Sequence, residues 1–266
     1  MSPRRYYSTD LTEAQWAFLF PLLPARKWHS GGPGRPPCDL RRVINGIVYL
    51  LKTGCQWRMV PQEFGNWSTI YAYFKRWRRA GVWARLMEAL RRLERRRQGR
   101  RPEPSAGSID SQSIKTATQG TAVGFDGNKK IKGRKRHVLV DTLGLILAVV
   151  VTSASAEDRV GLMILIENYW ATGITRLRHL WVDGGYRAEW LRQWVWSVKQ
   201  THKITLEVVD RAGPGFQVLP RRWTVERTFA WLLNYRRHSR DYEVRPENSE
   251  AMIQVSMIHL LLKRLA

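Results

Sequence analysis

Two cysteines, Cys38 and Cys55, are all that 266 residues contain, and no Cys or His pair falls at zinc-ligand spacing. A disulfide-stapled scaffold and a structural zinc site are thereby set aside, and reduced thiols that pack rather than ligate are expected, in a cytosolic setting. Long apolar runs are also missing. No segment approaches the about 18 uninterrupted apolar residues of a membrane span, and the opening MSPRRYYSTD has no apolar signal core. Acid is the third scarcity: 22 Asp and Glu stand against 45 Lys and Arg, a net charge of +23. Self-repulsion on that scale calls for a polyanionic partner, with nucleic acid the first expectation. An anionic membrane surface is the rival, disfavoured because the amphipathic segments carry many interior aromatics.

What is present begins with helices. LTEAQWAFLFPLL reads as a short helix capped near Thr12, followed by the Gly/Pro run GGPGRPP. Asp39 can cap LRRVINGIVYLLKT, whose Leu40, Val43, Ile44, Ile47, Val48 and Leu51 form one stripe, and Gly54 supplies the stop. Ser68 is the natural cap for TIYAYFKRWRRAG, with Ile70, Tyr73, Phe74 and Trp77 inward and Lys75, Arg76, Arg78 and Arg79 outward. Helix, turn, basic helix is the outline of a helix-turn-helix that sets those four side chains on DNA. The same pattern also describes a basic surface helix of an all-α unit. A further helix from Val82 ends in a positive run, and the Pro-containing linker 99–104 divides a helical domain at 1–98 from residues 105–266.

Beyond the linker the periodicity becomes strand-like, then alternates with helices, as in an α/β domain. SAGSID reads as a short strand ending on Asp110. The polar, basic stretch that follows reads as an exposed loop before the strand RHVLVD, and its Lys129, Lys130, Lys132, Arg134, Lys135 and Arg136 as a cluster tracking phosphates. His137, next to that cluster, fits either a neighbour of DNA or metal or a structural strand residue. RLRHLWVD reads as a strand ending on Asp183 before two glycines, and RRWTVERTFAWLLNYRRHSRDYE as a helix carrying one acid, Glu226. Asp110 and Asp183 lie 73 residues apart, and Glu226 is 43 further on. Strand ends and a covering helix are where an open α/β sheet places a site. Divalent magnesium takes hard oxygen ligands, and two such ions suit in-line displacement at phosphorus. Each aspartate is equally a turn former, and Glu226 equally one half of an i,i+4 pair with Arg222.

The blocks GSIDSQSIKT, KKIKGRKRHVLVDTLG, LWVDGGY and RRWTVERTFAWLLNYRRHSRDYE, in that order, resemble the transposases of the bacterial IS5 family of insertion sequences, over most of the chain. The resemblance implies an α/β fold with an RNase H-like catalytic core, a mixed five-stranded sheet with flanking helices, behind an all-α helix-turn-helix-like DNA-binding domain. It assigns Asp110, Asp183 and Glu226 as a DDE triad binding Mg²⁺, with Mn²⁺ able to substitute and two ions expected, and makes Arg222 an assisting residue. It implies a nucleoid-associated enzyme of the bacterial cytoplasm, with no membrane partner. Acting as a homodimer or higher assembly on double-stranded DNA, it cleaves at terminal inverted repeats and joins 3′ ends to target DNA. In the related signature Tyr-x2-Arg-x3-Glu-x6-Lys, Arg222 and Glu226 are in place but Leu219 and Leu233 replace the tyrosine and lysine. Arg227, Arg236 and Arg237 are then the candidates for the missing phosphate contacts. An RNase H-like nuclease of repair or recombination and a catalytically silent DNA-binding regulator are the alternatives.

Overall fold

The computed structural model describes residues 7–24, 38–117, 120–171, 176–197, 204–209 and 223–266. Helix α1, Glu13–Leu19, starts in a capping box in which Thr12 and Gln15 each accept the other's backbone N–H. Helix α2, Leu40–Thr53, is capped by Asp39, which accepts from Arg41 N and Arg42 N, and stops at Gly54 in the left-handed region at φ 74°. Helix α3 spans Trp67–Arg79, and its cap is Asn66 rather than the expected Ser68. Asn66 Oδ1 accepts both the backbone N–H and the hydroxyl of Ser68, at 2.9 and 2.8 Å, so the serine is consumed as a donor one turn position late. Helix α4, Val82–Arg97, follows Gly81 at φ 66°.

The sheet is built from β1 Ala106–Lys115, β2 Gly124–Asp126, β3 Ile131–Asp141, β4 Ile146–Ser153, β5 His179–Val182 and β6 Thr205–Val208. Central β1 pairs antiparallel with β3 and parallel with β5; β4 is antiparallel to β3, and β6 parallel to β5. Five principal strands therefore run in the order β4, β3, β1, β5, β6, while short β2 continues the edge beside Ile131–Gly133. One face is covered by α5, Asp158–Ala171, and α6, Glu189–Ser197, with Leu162, Leu165, Ile166, Leu191 and Val195 in the core. Tyr169 and Trp170 complete the buried side of α5, whereas Val160 is 45% exposed. The other face is covered by α7, Trp223–Leu233, and α8, Pro246–Leu265.

Helix α8 is buried nearly all round, polar Asn248, Ser249, Ser256 and His259 included, as a helix enclosed on every side must be. It packs on α1, α2, α3, α4 and β4, and one apolar core joins those helices to Val138, Val140, Val149 and Val151 of the sheet. The sheet order, its mixed direction and the flanking helices are those of the RNase H-like fold, with a helical region in front.

Two expectations are corrected. Strand β1 does not end on Asp110 but runs five residues further, to Lys115. Nor is the basic stretch before RHVLVD a loop, because β3 already starts at Ile131, so Lys132, Arg134, Lys135 and Arg136 are strand residues. A Cβ on Gly133 would lie 2.0 Å from Ile114 O, so this close pairing with β1 requires a glycine there.

Candidate active site

Asp110 pairs across to Val138 on β3, and directly opposed residues share a sheet face, so its half-buried side chain lies on the side covered by α7. On its other flank β1 and β5 are parallel, with Ser108 beside Trp181. The pairing ends there and β5 stops at Val182, so Asp110, two residues beyond Ser108, and Asp183, two beyond Trp181, both stand past the end of the same paired stretch. Asp183 leaves the strand there and caps the single turn Gly184–Tyr186, accepting Gly185 N at 2.9 Å. Glu226 stands in the first turn of α7 with its side chain exposed, while Val225, Phe229 and Leu232 seat that helix in the core. Arg227 Nη2 donates to Leu143 O at 2.9 Å and Thr228 Oγ1 to Gly144 O at 2.7 Å, fixing α7 over the β3–β4 turn.

The two aspartates thus stand just past the end of the paired stretch of β1 and β5, and the glutamate is on the helix that covers the face of Asp110. Their hard oxygen donors fit a divalent cation such as magnesium. Among the described residues, no three His, Cys, Asp or Glu side chains already stand together as a cluster able to hold one ion. Arg222 and Leu219 lie outside the described residues; Leu233 is 52% exposed at the end of α7.

Behind the aspartates lies a polar network that the sequence did not single out. Ser111 Oγ donates to Asp158 Oδ1 at 2.6 Å, Ser111 N donates to Asp110 Oδ1 at 2.7 Å, and Lys135 Nζ stands 3.2 Å from Asp158 Oδ1. Tyr186 is sealed beneath it, 1% exposed. Burial, reinforced by the negative charges of Asp110, Asp158 and Asp183, holds its hydroxyl well above the ordinary tyrosine range. The available signals were slight: Tyr186 follows Asp183 by three residues, and Asp158 opens a helix.

The basic residues divide by burial. In the β2–β3 segment, Lys129, Lys130 and Lys132 are exposed, and Lys129 Nζ donates to Ser111 O at 3.3 Å, next to Asp110. Arg134, Lys135 and Arg136 are buried and face no DNA-accessible surface, because each is spent on internal acceptors. Arg134 donates to Thr121 O, Glu243 O and Val244 O, each at 2.7 Å, Lys135 to Ala156 O at 2.9 Å, and Arg136 to His238 O at 3.1 Å. Burial draws the Arg136 guanidinium down to about 10. His137 is wholly buried, its Nε2 2.9 Å from Thr152 Oγ1, and burial lowers its pKa to about 4, so the structural reading holds.

On α3, Ile70, Phe74 and Trp77 face the core; Arg76 and Arg79 are exposed, Lys75 and Arg76 lie over Tyr71 and Tyr73, and Arg78 is 3.9 Å from Glu247. Arg227 is held between the rings of Trp223 and Trp231. Arg236 is exposed, but Arg237 is buried and bonded to Glu243 Oε1 and Cys55 O at 2.7 Å, which withdraws it from the set of phosphate contacts.

Comparison with known proteins identifies two matching families. Residues 101–261 match the family described as the transposase DDE domain, and residues 11–87 the family described as a putative transposase of the IS4/5 family. The chain is similar to "Insertion element IS402 uncharacterized 16.2 kDa protein" of Burkholderia cepacia, 38% identical over 41% of this chain and 75% of that one. It is also similar to "Putative transposase for insertion sequence element IS402" of the same organism, 28% identical over 46% of this chain, and spans 60% of that relative's length. Among the described residues no helix is long and apolar enough to cross a membrane.

Proposed function

The chain belongs to the DDE-domain transposases, and from that premise we propose that it is an active transposase of the IS5 type. In this reading it cleaves the ends of an insertion sequence and joins their 3′ ends to target DNA in the bacterial cytoplasm. The observation that carries the reading is that Asp110 and Asp183 stand just past the end of the β1–β5 pairing, beside the sheet face covered by α7, the helix of Glu226. Those three carboxylates would hold Mg²⁺ or Mn²⁺. When bound, the metal supplies activation of an attacking water or 3′ hydroxyl and stabilisation of the leaving oxygen.

The protein's own residues orient the parts. Ser111 N and Gly185 N hold one oxygen of Asp110 and one of Asp183, aiming the carboxylates. Lys129, anchored on Ser111 O, carries a cation to the edge of that pair, where an incoming phosphate needs one. Residues 1–98 would bind the terminal inverted repeats, with Lys75, Arg76, Arg78 and Arg79 of α3 on the duplex, and residues 105–266 would carry the chemistry across the 99–104 link. Arg222 would assist beside Glu226. Two ends must be brought together, so the working form would be a homodimer or higher assembly on DNA.

The test uses the full chain, a duplex ending in the outer sequence of the encoding element, and a plasmid target, with Mg²⁺ or Mn²⁺. Joined donor–target product is expected from the wild type, and none from Asp110→Asn, Asp183→Asn or Glu226→Gln. Cleavage without joining would mark a nuclease. Binding without cleavage would mark a regulator, and full activity in Glu226→Gln would remove that residue from the site.

A further inference from the structure

We infer that the basic cleft between the α4–β1 connection and the first turn of α7 is a binding site for the phosphate backbone of DNA. The cleft has a volume of about 550 Å³, and Arg95, Arg100, Arg101, Arg176, Trp223 and Thr224 are among its walls; among the described residues no Asp or Glu lines it. Two of the arginines build the walls and two carry the charge outward. Arg95 is buried, paired with Asp141, and its Nε donates to Arg101 O at 2.8 Å. Arg176 donates from Nη1 to Glu103 O, tying the strand side of the cleft to the connection. Arg100 N donates to Arg95 O at 2.8 Å past Gly99, which turns the chain at φ 67°. The connection is therefore a fixed backbone and not a loose tether. It presents the exposed side chains of Arg100 and Arg101, neither of which has an ion-pair partner among the described residues.

With Arg95 neutralised by Asp141, Arg100, Arg101 and Arg176 remain as the charges of a concave surface that no Asp or Glu lines among the described residues, and a phosphodiester backbone supplies the matching anions. The position adds direction. Ser105 and Ala106, on the floor of the cleft, open the strand that carries Asp110 four residues on. Trp223, on its wall, precedes Glu226 by three residues and so shares its side of α7. A DNA strand seated in the cleft passes from the connection toward the acids. The site thus deepens the transposase reading and rests on its claim that this chain binds DNA, but not on catalysis.

The test measures binding of the full chain to a labelled random-sequence duplex by anisotropy, without metal, from about 50 to 300 mM salt. Each phosphate contact contributes about 0.9 to the slope of log affinity against log salt. Arg100→Ala with Arg101→Ala is expected to reduce that slope by about 1.8. The equal-charge control, Arg42→Ala with Arg192→Ala, is expected to leave it near the wild-type value. A wild-type protein that binds, with the cleft variant and the control alike in slope, would overturn the site and leave the transposase reading standing. A wild-type protein that binds no duplex would overturn both.

Discussion

Lys135 and Asp158 form a partly buried ion pair, Nζ to Oδ1 at 3.2 Å, and that oxygen also accepts the Ser111 hydroxyl beside Asp110. Lys135 sits in the strand next to β1 and Asp158 in the first turn of α5, so the pair braces the backbone that presents Asp110 from the opposite sheet face. Groups that orient metal-binding side chains typically cost 10–100-fold when removed. Asp158→Asn keeps an oxygen for Ser111 and deletes the charge facing Lys135. It is expected to lower end cleavage about 10-fold and to raise the Mg²⁺ concentration giving half-maximal rate. An unchanged metal requirement would confine the pair to a stabilising role.

Arg134 is the most heavily bonded cation of β3. Its guanidinium joins the strand to Thr121 O, to Asp241, and to Glu243 O and Val244 O in the segment between α7 and α8. Removing it strands Asp241 and several carbonyls in the interior. Arg134→Ala is expected to cost about 3–5 kcal/mol in urea unfolding. Arg134→Lys should recover little of this, since a single ammonium cannot reproduce the planar fork.

Arg236 and Arg237 are adjacent in sequence and separate in role. Arg237→Ala leaves Glu243 buried without its partner and is expected to lower stability by about 3 kcal/mol. Arg236→Ala, at an exposed position, is expected to change stability by less than about 0.5 kcal/mol and to weaken DNA binding. Thermal melts beside binding isotherms for the single variants separate the two effects. Equal loss of stability in both would contradict the assignment.

The sequence made most of the fold readable, because helix caps and stripes are local signals. Asp39 with Gly54 delimits α2 by side-chain chemistry within a few residues of each end. The loop reading of Ile131 to Lys135 and the phosphate role given to Arg136 failed for a physical reason: Arg134 is paired with Asp241 and Arg136 bonded to His238 O, partners about 100 residues away that no local pattern reveals. The same holds at the candidate site. Asp110, Asp183 and Glu226 stood out through the family resemblance, although Asp110 proves to lie in mid-strand, whereas Ser111, Asp158 and Tyr186 gain meaning only once β1, α5 and the turn after β5 are packed together.

Stability should depend on pH through groups buried around α8. Burial pushes the Glu250 carboxyl up from 4.5 to about 7, while its Oε1 accepts Val151 N at 2.9 Å. Between those values the folded protein holds a proton that the unfolded chain has released. The contribution of Glu250 is therefore largest below about pH 4.5 and fades as pH climbs to about 7. Buried histidines act in the opposite sense. Burial takes His137 from 6.5 down to about 4 and His259 to about 3, so their contribution is complete above pH 6.5 and is lost as pH falls through those values. His238 is lowered in the same direction by burial and by Arg136 and Arg237. With three histidines lowered against two glutamates raised, Glu243 and Glu250, acidification below pH 6.5 is expected to destabilise the protein, on a slope that the glutamates make shallower. Glu250→Gln keeps the acceptor for Val151 N and removes the titration. It should therefore steepen the acid limb and gain on the wild type by roughly 3 kcal/mol between pH 4.5 and pH 8. Urea midpoints of both proteins across that range check the sign, and a wild-type-to-variant difference that stays constant with pH would refute the role given to Glu250.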